Sequence, residues 1–280
     1  MNHFYFLTSF CNYQENKSDI IFSINNNLKN ILFKKIFLLI DVGLPFENMY
    51  NKFVTNKNVD EYKEYIDKIF LNFLGNKKIC IYIIKKRPTY ENIFNFCNNF
   101  SNIKWIVSNS DIHFPLWNIN KLKLLLNKDY SKYSFVLTRY NILDDLNEPW
   151  KSGKINGVTK PWLNGIIIEN ENIKYKSQNV DGSSIDSWIF QSPFNILELN
   201  LDFEIGQPEC DGRMNFQLQK VREVLNPCLE IVSIHKHINW DPKVYEIVKY
   251  NNTKYTRKLY NNLYEKNGLK LSTIKFCNIP

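Results

Sequence analysis

An apolar run, Lys104–Val107, ends in Ser108-Asn109-Ser110-Asp111. A carboxylate at the end of a buried strand, beside small polar side chains, is a suitable holder for a hard divalent cation. Such an ion needs only one or two protein carboxylates when phosphate and water complete its shell. The chemistry this permits is departure of a diphosphate, whose developing charge the ion neutralises. Asp111 is the candidate ligand, Asn109 a group that orients bound water or a ribose, and Ser110 a neighbouring polar contact. The same four residues also suit an Asx-turn that only closes a strand. A second donor comes late in the chain, where His235 and His237 stand two apart in an apolar run and would share one side of a strand. Imidazole with carboxylate suits a manganese-type ion better than magnesium alone. Either His taken singly also reads as a core or rim side chain.

Two further carboxylates could act as a general base. Asp211, in Pro208-Glu209-Cys210-Asp211-Gly212-Arg213, sits where a helix begins. A helix N-terminus favours its ionised form, and Arg213 is placed to pair with it or with phosphate. Asp186, in Asp181-Gly182-Ser183-Ser184-Ile185-Asp186-Ser187-Trp188, stands beside an aromatic ring of the kind that stacks on a sugar face. The plainer uses are an N-cap for Asp211 and a polar loop for Asp186.

The elements that must position these groups follow from periodicity. Strands are predicted at Phe4–Cys11, Lys35–Ile40, Lys78–Ile84, Ile103–Ser108, Tyr133–Tyr140, Ser187–Phe190 and Leu229–His237. Helical spacing covers Ser18–Asn30, Val59–Leu74, Thr89–Phe100 with Thr89 as N-cap, Leu116–Leu126 and Met214–Leu225. The tail, from Pro242 to Glu265, reads as helix-like. Strands alternating with helices predict an α/β fold, a mostly parallel sheet covered on both faces. Ligands of such sheets sit outside the carboxyl ends of the strands, which is where the Asn109–Asp111 loop falls.

Composition narrows the classes. A chain of 280 residues with 44% hydrophobic residues can bury one large core, and nine Gly with ten Pro leave no long flexible linker. The net charge of +8 suits a diphosphate ligand, an anionic membrane or nucleic acid. The positive charge is scattered, however, and no RRM, helix-turn-helix or C₂H₂ signature accompanies it. The six Cys show no zinc spacing and read as reduced thiols of a cytoplasmic protein. No run reaches membrane-spanning length and residues 1–13 lack signal-peptide features, so any membrane contact is expected to be peripheral.

One ordered series carries a family resemblance. It runs Lys86-Arg87-Pro88-Thr89-Tyr90, Ser108-Asn109-Ser110-Asp111-Ile112, Leu137-Thr138-Arg139-Tyr140 and Asp186-Ser187-Trp188-Ile189-Phe190. It continues through Ile205-Gly206, Cys210-Asp211-Gly212-Arg213, Asn226-Pro227 and His235-Lys236-His237. The series resembles a family of small GT-A glycosyltransferases of large DNA viruses and some microbes, which includes the N-terminal domain of a chlorovirus protein that builds capsid glycans. The resemblance implies a single GT-A (Rossmann-like) domain over residues 1–240; residues 241–280 carry none of its motifs and are expected to form a helical extension that packs on the domain or binds an acceptor-bearing partner. It implies a UDP-type nucleotide-diphospho-sugar donor, a manganese (or magnesium) ion, a glycan or glycoprotein acceptor, and inverting transfer of a hexosyl or deoxyhexosyl group. For a viral protein the compartment would be the host cytoplasm. Asp111 falls at the metal-binding Asp of a DxD-like motif, with Asn109 in place of the first Asp, and His235 or His237 at a further ligand. Asp211 matches the family's acidic residue at a helix start beside the acceptor, ahead of Asp186, while Thr8, Ser9 and Arg87 fall at nucleotide contacts. The alternatives are a nucleic-acid-binding protein and a GT-A domain that binds sugar nucleotides without turnover.

Overall fold

The computed structural model describes residues 2–11, 17–42, 52–64, 66–142, 166–169, 172–175, 185–207, 209–236, 247–250, 253–256, 270–275 and 277–280. The first half holds β1 (Phe4–Cys11), α1 (Lys17–Lys29), β2 (Phe33–Asp41), β3 (Lys52–Val54), α2 (Lys68–Leu71), β4 (Ile79–Ile84) and α3 (Tyr90–Asn98). Next come β5 (Lys104–Asn109), β6 (Ile112–His113), α4 (Ile119–Leu124), β7 (Tyr133–Thr138) and β8 (Tyr140–Ile142). The remainder holds β9 (Ile166–Glu169), β10 (Asn172–Tyr175), β11 (Ile185–Gln191), α5 (Cys210–Leu218), β12 (Glu223–Leu225), β13 (Ile234–Lys236), β14 (Ile247–Tyr250) and β15 (Thr253–Thr256).

Eight strands form one sheet in the order β12-β7-β11-β5-β1-β2-β4-β3. Neighbouring β1, β2, β4 and β5 are parallel, as are β7 and β12, while β11 runs antiparallel between β5 and β7 and β3 antiparallel along β4. Strands buried on both faces read as nearly unbroken apolar runs, which is how residues 4–7 of β1 and 36–40 of β2 read. The pleat then divides them. Phe6, Ile36, Leu38 and Ile106 join one core with Ile20 and Ile24 of α1 and Leu122 of α4. Leu7, Phe37, Leu39, Trp105 and Trp188 join the other, with Tyr90, Ile93 and Phe94 of α3 and Met214 and Leu218 of α5. The expected sandwich of helix, mostly parallel sheet and helix is therefore the fold, in one α/β domain. Among the described residues no helix is long and apolar enough to cross a membrane.

Local signals account for several elements. Thr89 caps α3 in a reciprocal box: its hydroxyl accepts from Asn92 N, and the Asn92 side chain accepts from Thr89 N. Other segments depart from the periodicity. Val59–Leu74 is no single helix but a 3₁₀ turn at Val59–Glu61, the short α2 and a second 3₁₀ turn at Asn72–Gly75. Asp67 starts the chain afresh there, its carboxylate accepting from Ile69 N and pairing with Lys17 of α1. Burial of Tyr62, Ile66 and Phe70 needs only those turns. The helix expected at Met214–Leu225 begins earlier, at Cys210, and ends at Leu218, because Glu223–Leu225 pairs along β7 as the sheet's outer strand. Among the described residues of the predicted strand Leu229–His237, Ile234–Lys236 alone is strand. Within the tail, Ile247–Tyr250 and Thr253–Thr256 form an antiparallel hairpin, not a helix. Ile, Val, Thr and Tyr dominate both arms, and such side chains lose rotamer freedom in a helix but pack well on a pleat.

Candidate active site

The carboxyl ends of β1, β2, β4, β5 and β7 lie at one edge of the sheet, and the antiparallel β11 begins there. β5 delivers Asn109 to that edge, and the turn at Ser110-Asp111 leads into β6. Two devices hold β6. The Asn27 side chain of α1, 1% exposed, donates to Ile112 O at 2.9 Å and accepts from Phe114 N at 3.0 Å. β13 pairs antiparallel with β6, placing His235 opposite Ile112, and parallel with β8 on its other side.

That ladder brings His235 to Asp111 from 124 residues away, with Nε2 2.8 Å from Oδ2. The imidazole is buried and the carboxylate partly so. An oxygen and a nitrogen donor from two separate elements fit a manganese-type ion that fills its shell with water and phosphate. Among the described residues no group of three His, Cys, Asp or Glu side chains is arranged to hold a metal. An ion here would therefore draw on this pair and on its substrate. His237 lies outside the described residues.

A second cluster forms where β11 enters between β5 and β7. Asn109 Nδ2 donates to Asp186 Oδ1 at 2.6 Å, and Arg139 Nη1 donates to Asp186 Oδ2. Behind them Ser108 Oγ donates to Asp186 O at 2.8 Å and lies 2.8 Å from Ser187 Oγ. Asp186 is thus the second residue of a strand, not part of a polar loop, and both of its carboxylate oxygens are engaged.

Asp211 lies beside this cluster, in the first turn of α5 and not at its cap; Glu209 occupies the cap with φ 62°. Its Oδ2 accepts from Ile185 N at 3.2 Å, so the residue adjacent to Asp186 in the chain also holds Asp211. Burial, and then the negative charge of Asp186, push the Asp211 carboxyl above its ordinary value. Hydrogen bonds from Gly212 and Ile185 N–H and the charge of Arg139 oppose that rise without cancelling it. The group is a stronger base than a solvated aspartate. Tyr90 OH donates to Cys210 Sγ at 3.5 Å just behind it. Burial, and then Asp211, push that thiol up to about 12, so Cys210 is a neutral packing residue.

The proposed nucleotide contacts separate. The pleat sends Thr8 and Ser9 to opposite faces. Ser9 pairs in register with Asn109, while Thr8 is fully buried and its hydroxyl has no partner among the described residues. Arg87 stands half-buried in the bend after β4, two strands from β1 along the same edge. Ser110 is buried in the turn between β5 and β6. Arg139 stands in the resemblance series with no role assigned to it, and Asp41 was not singled out from the sequence. Asp41 ends β2 at this edge and carries the signature that marked Asp111, an acid after an apolar strand. Arg139 gains its role only through the insertion of β11, for which spacing carries no signal.

No protein-family model and no curated protein matches this chain. Among solved structures it is similar to the inositol-1-phosphate CTP transferase from T. maritima, with a TM-score of 0.43 and 10% identity over 87% of this chain and 94% of that one. It is also similar to a putative glucose-1-phosphate thymidylyltransferase from Bacillus anthracis, with a TM-score of 0.40 and 11% identity over 82% and 88%. For S. aureus TarS 1–349 the TM-score is 0.39 and the identity 9%, over 85% of this chain and 58% of that one. At such values the chemistry has to be read from this chain's own side chains.

Proposed function

We propose that the chain is a GT-A-type glycosyltransferase that moves a sugar, with inversion, from a UDP-type nucleotide-diphospho-sugar to a hydroxyl of a glycan or glycoprotein. The observation that carries this reading is the meeting of Asp111 and His235, 2.8 Å apart, at the carboxyl edge of a parallel sheet. Asp211, with its raised pKa, stands beside Asp186, whose carboxylate is held by Asn109 of the Asp111 loop. The resemblance of the Asn109–Asp111, Asp211 and His235 motifs to small viral and microbial GT-A enzymes supports the same reading.

A manganese-type ion held by Asp111 and His235 would neutralise the charge that builds on the departing diphosphate. Asp211 takes the proton from the acceptor hydroxyl as its oxygen attacks the anomeric carbon on the face opposite the diphosphate. A carboxylate whose pKa is raised toward the working pH is the stronger acceptor. Asp186, with both oxygens committed to Asn109 and Arg139, positions the edge of the sheet instead of acting as base. Ser9, in register with Asn109, and the Asn109 amide oxygen left free by its bond to Asp186 are assigned to the ribose, and Arg87 to the nucleotide.

The test is UDP release from UDP-sugars with manganese, with and without candidate acceptors. Asp111→Ala should lose metal-dependent donor binding and turnover together. Asp211→Asn should keep donor binding and lose turnover. Normal turnover in Asp211→Asn, with loss in Asp186→Asn, would reverse the two carboxylates' roles.

A further inference from the structure

The described residues of the segment 270–280 do not trail away from the domain. Ser272 N donates to Gly212 O at 3.0 Å, and Asn215 Nδ2 donates to Ser272 O at 3.3 Å. Leu271 covers Gly212 so closely that a Cβ on that glycine would lie 3.2 Å from Leu271 Cδ2. Ile274 is 4% exposed in the same core as Cys210, Met214 and Trp188. Farther on, Cys277 N donates to Asn226 O at 3.1 Å and Ile279 N to Glu230 Oε1 at 2.8 Å.

Asn226, fully buried, ties this segment to the site. Its Nδ2 donates to Ile274 O at 3.1 Å and to Thr138 Oγ1 at 3.0 Å, and its Oδ1 accepts from Thr138 N at 3.2 Å. Thr138 precedes Arg139, which holds Asp186, and Thr138 pairs in register with Ile185. Ile185 N donates to Asp211 Oδ2, and Asp211 precedes Gly212. The contacts close a ring: Asp211, Ile185, Thr138, Asn226, Ile274, Ser272, Gly212 and back to Asp211.

We infer that Asn226 and the 270–280 segment are positioning elements of the transfer reaction, a strap that fixes the first turn of α5 and so aims Asp211. The inference rests on the reading of Asp211 as the base. Neither Asn226 nor Ile274 reaches the carboxylate itself. Their effect is transmitted through the Gly212 carbonyl on one side and the Thr138–Ile185 pair on the other. Displacements of about 1 Å in a reacting group can lower turnover by roughly a hundredfold, so a strap of this kind acts on kcat and leaves the metal and donor contacts of Asp111 and His235 alone.

The experiment uses the full chain with Ile274→Ala, the milder Ile274→Val, and Leu271→Ala. Leu271 is 43% exposed, so its truncation spares folding should Ile274→Ala prove too disruptive. Two readouts are taken. Hydrogen exchange at the Ser272 and Ile185 amides, without metal or nucleotide, reports docking of the strap and the Asp211 contact. UDP-glucose hydrolysis with manganese gives kcat and KM. The expected result is faster exchange at both amides in Ile274→Ala and Leu271→Ala. With it should come a kcat lower by about ten- to a hundredfold, a KM unchanged within about twofold, and recovery in Ile274→Val. Fast exchange at Ser272 with kcat unchanged would overturn the strap while leaving the base assignment intact. Normal turnover in Asp211→Asn would instead remove the base assignment, and the strap with it.

Discussion

Asn27→Ala removes the clamp that joins α1 to β6, the short strand that follows Asp111 directly. The side chain is 1% exposed and makes two hydrogen bonds, to Ile112 O and from Phe114 N, and both of those residues are themselves buried. Leaving a buried N–H without a partner costs roughly 1–3 kcal/mol, and the lost bond to the carbonyl adds about 1 kcal/mol. The expected destabilisation is therefore about 2–4 kcal/mol, a large share of the roughly 5–15 kcal/mol typical of a folded domain. At about 2–4 °C per kcal/mol for chains of similar size, the melting temperature should fall by roughly 5–15 °C. Urea unfolding followed by tryptophan fluorescence measures it, with an unchanged slope marking a change in stability alone. Donor affinity in manganese should weaken as well, because Asp111 loses the fixed β6 that holds its turn. An unfolding free energy unchanged within about 0.5 kcal/mol would refute the clamp and the claim that α1 positions Asp111.

Arg139→Ala strips the partner from the buried Asp186 and should destabilise by about 3–5 kcal/mol, because an uncompensated buried charge is left behind; urea denaturation measures this. Asp211 carries a raised pKa, so its contribution to stability is fully present below the unfolded value near 3.8 and is lost as pH rises through the higher folded value. Asp211→Asn should therefore raise the melting temperature at neutral pH while abolishing transfer, and a lower melting temperature would contradict the raised pKa. Turnover should rise with pH along an acidic limb lying above the ordinary aspartate range. Asp186→Asn should move that limb to lower pH, because a negative neighbour is removed and the charge of Arg139 is released toward Asp211. Thr89→Ala breaks the reciprocal cap of α3 and should cost about 1 kcal/mol, read as a melting shift, with little change in donor affinity.

The sheet and its covering helices were legible because their signals are local. Phe4–Cys11 and Ile79–Ile84 are apolar enough to be strands only inside a parallel sheet, and Thr89 announces α3 by its cap. Asp111 was legible as an acid closing such a strand, while the choice between His235 and His237 as its neighbour was not. The physical reason for that meeting was not legible: it depends on β13 wedging between β6 and β8, contacts that cross more than 90 residues of chain. The roles of Arg139 and Asn226, both part of the resemblance series, were opaque for a related cause. Their partners, Asp186 and Ile274, arrive through an antiparallel strand insertion and a docked C-terminal segment, neither of which leaves a periodicity. Where periodicity misled, at Val59–Leu74 and in the hairpin of β14 and β15, Asp67 capping and β-branched composition outweighed the apolar spacing.

The most direct test of the central claim is calorimetric titration of UDP into the protein with and without manganese, repeated on Asp111→Ala and His235→Ala. The account predicts binding that requires manganese in the unaltered chain and is lost in both variants while each still unfolds cooperatively. Equal UDP binding with and without manganese, or none at all alongside salt-sensitive binding of an oligonucleotide, would contradict it.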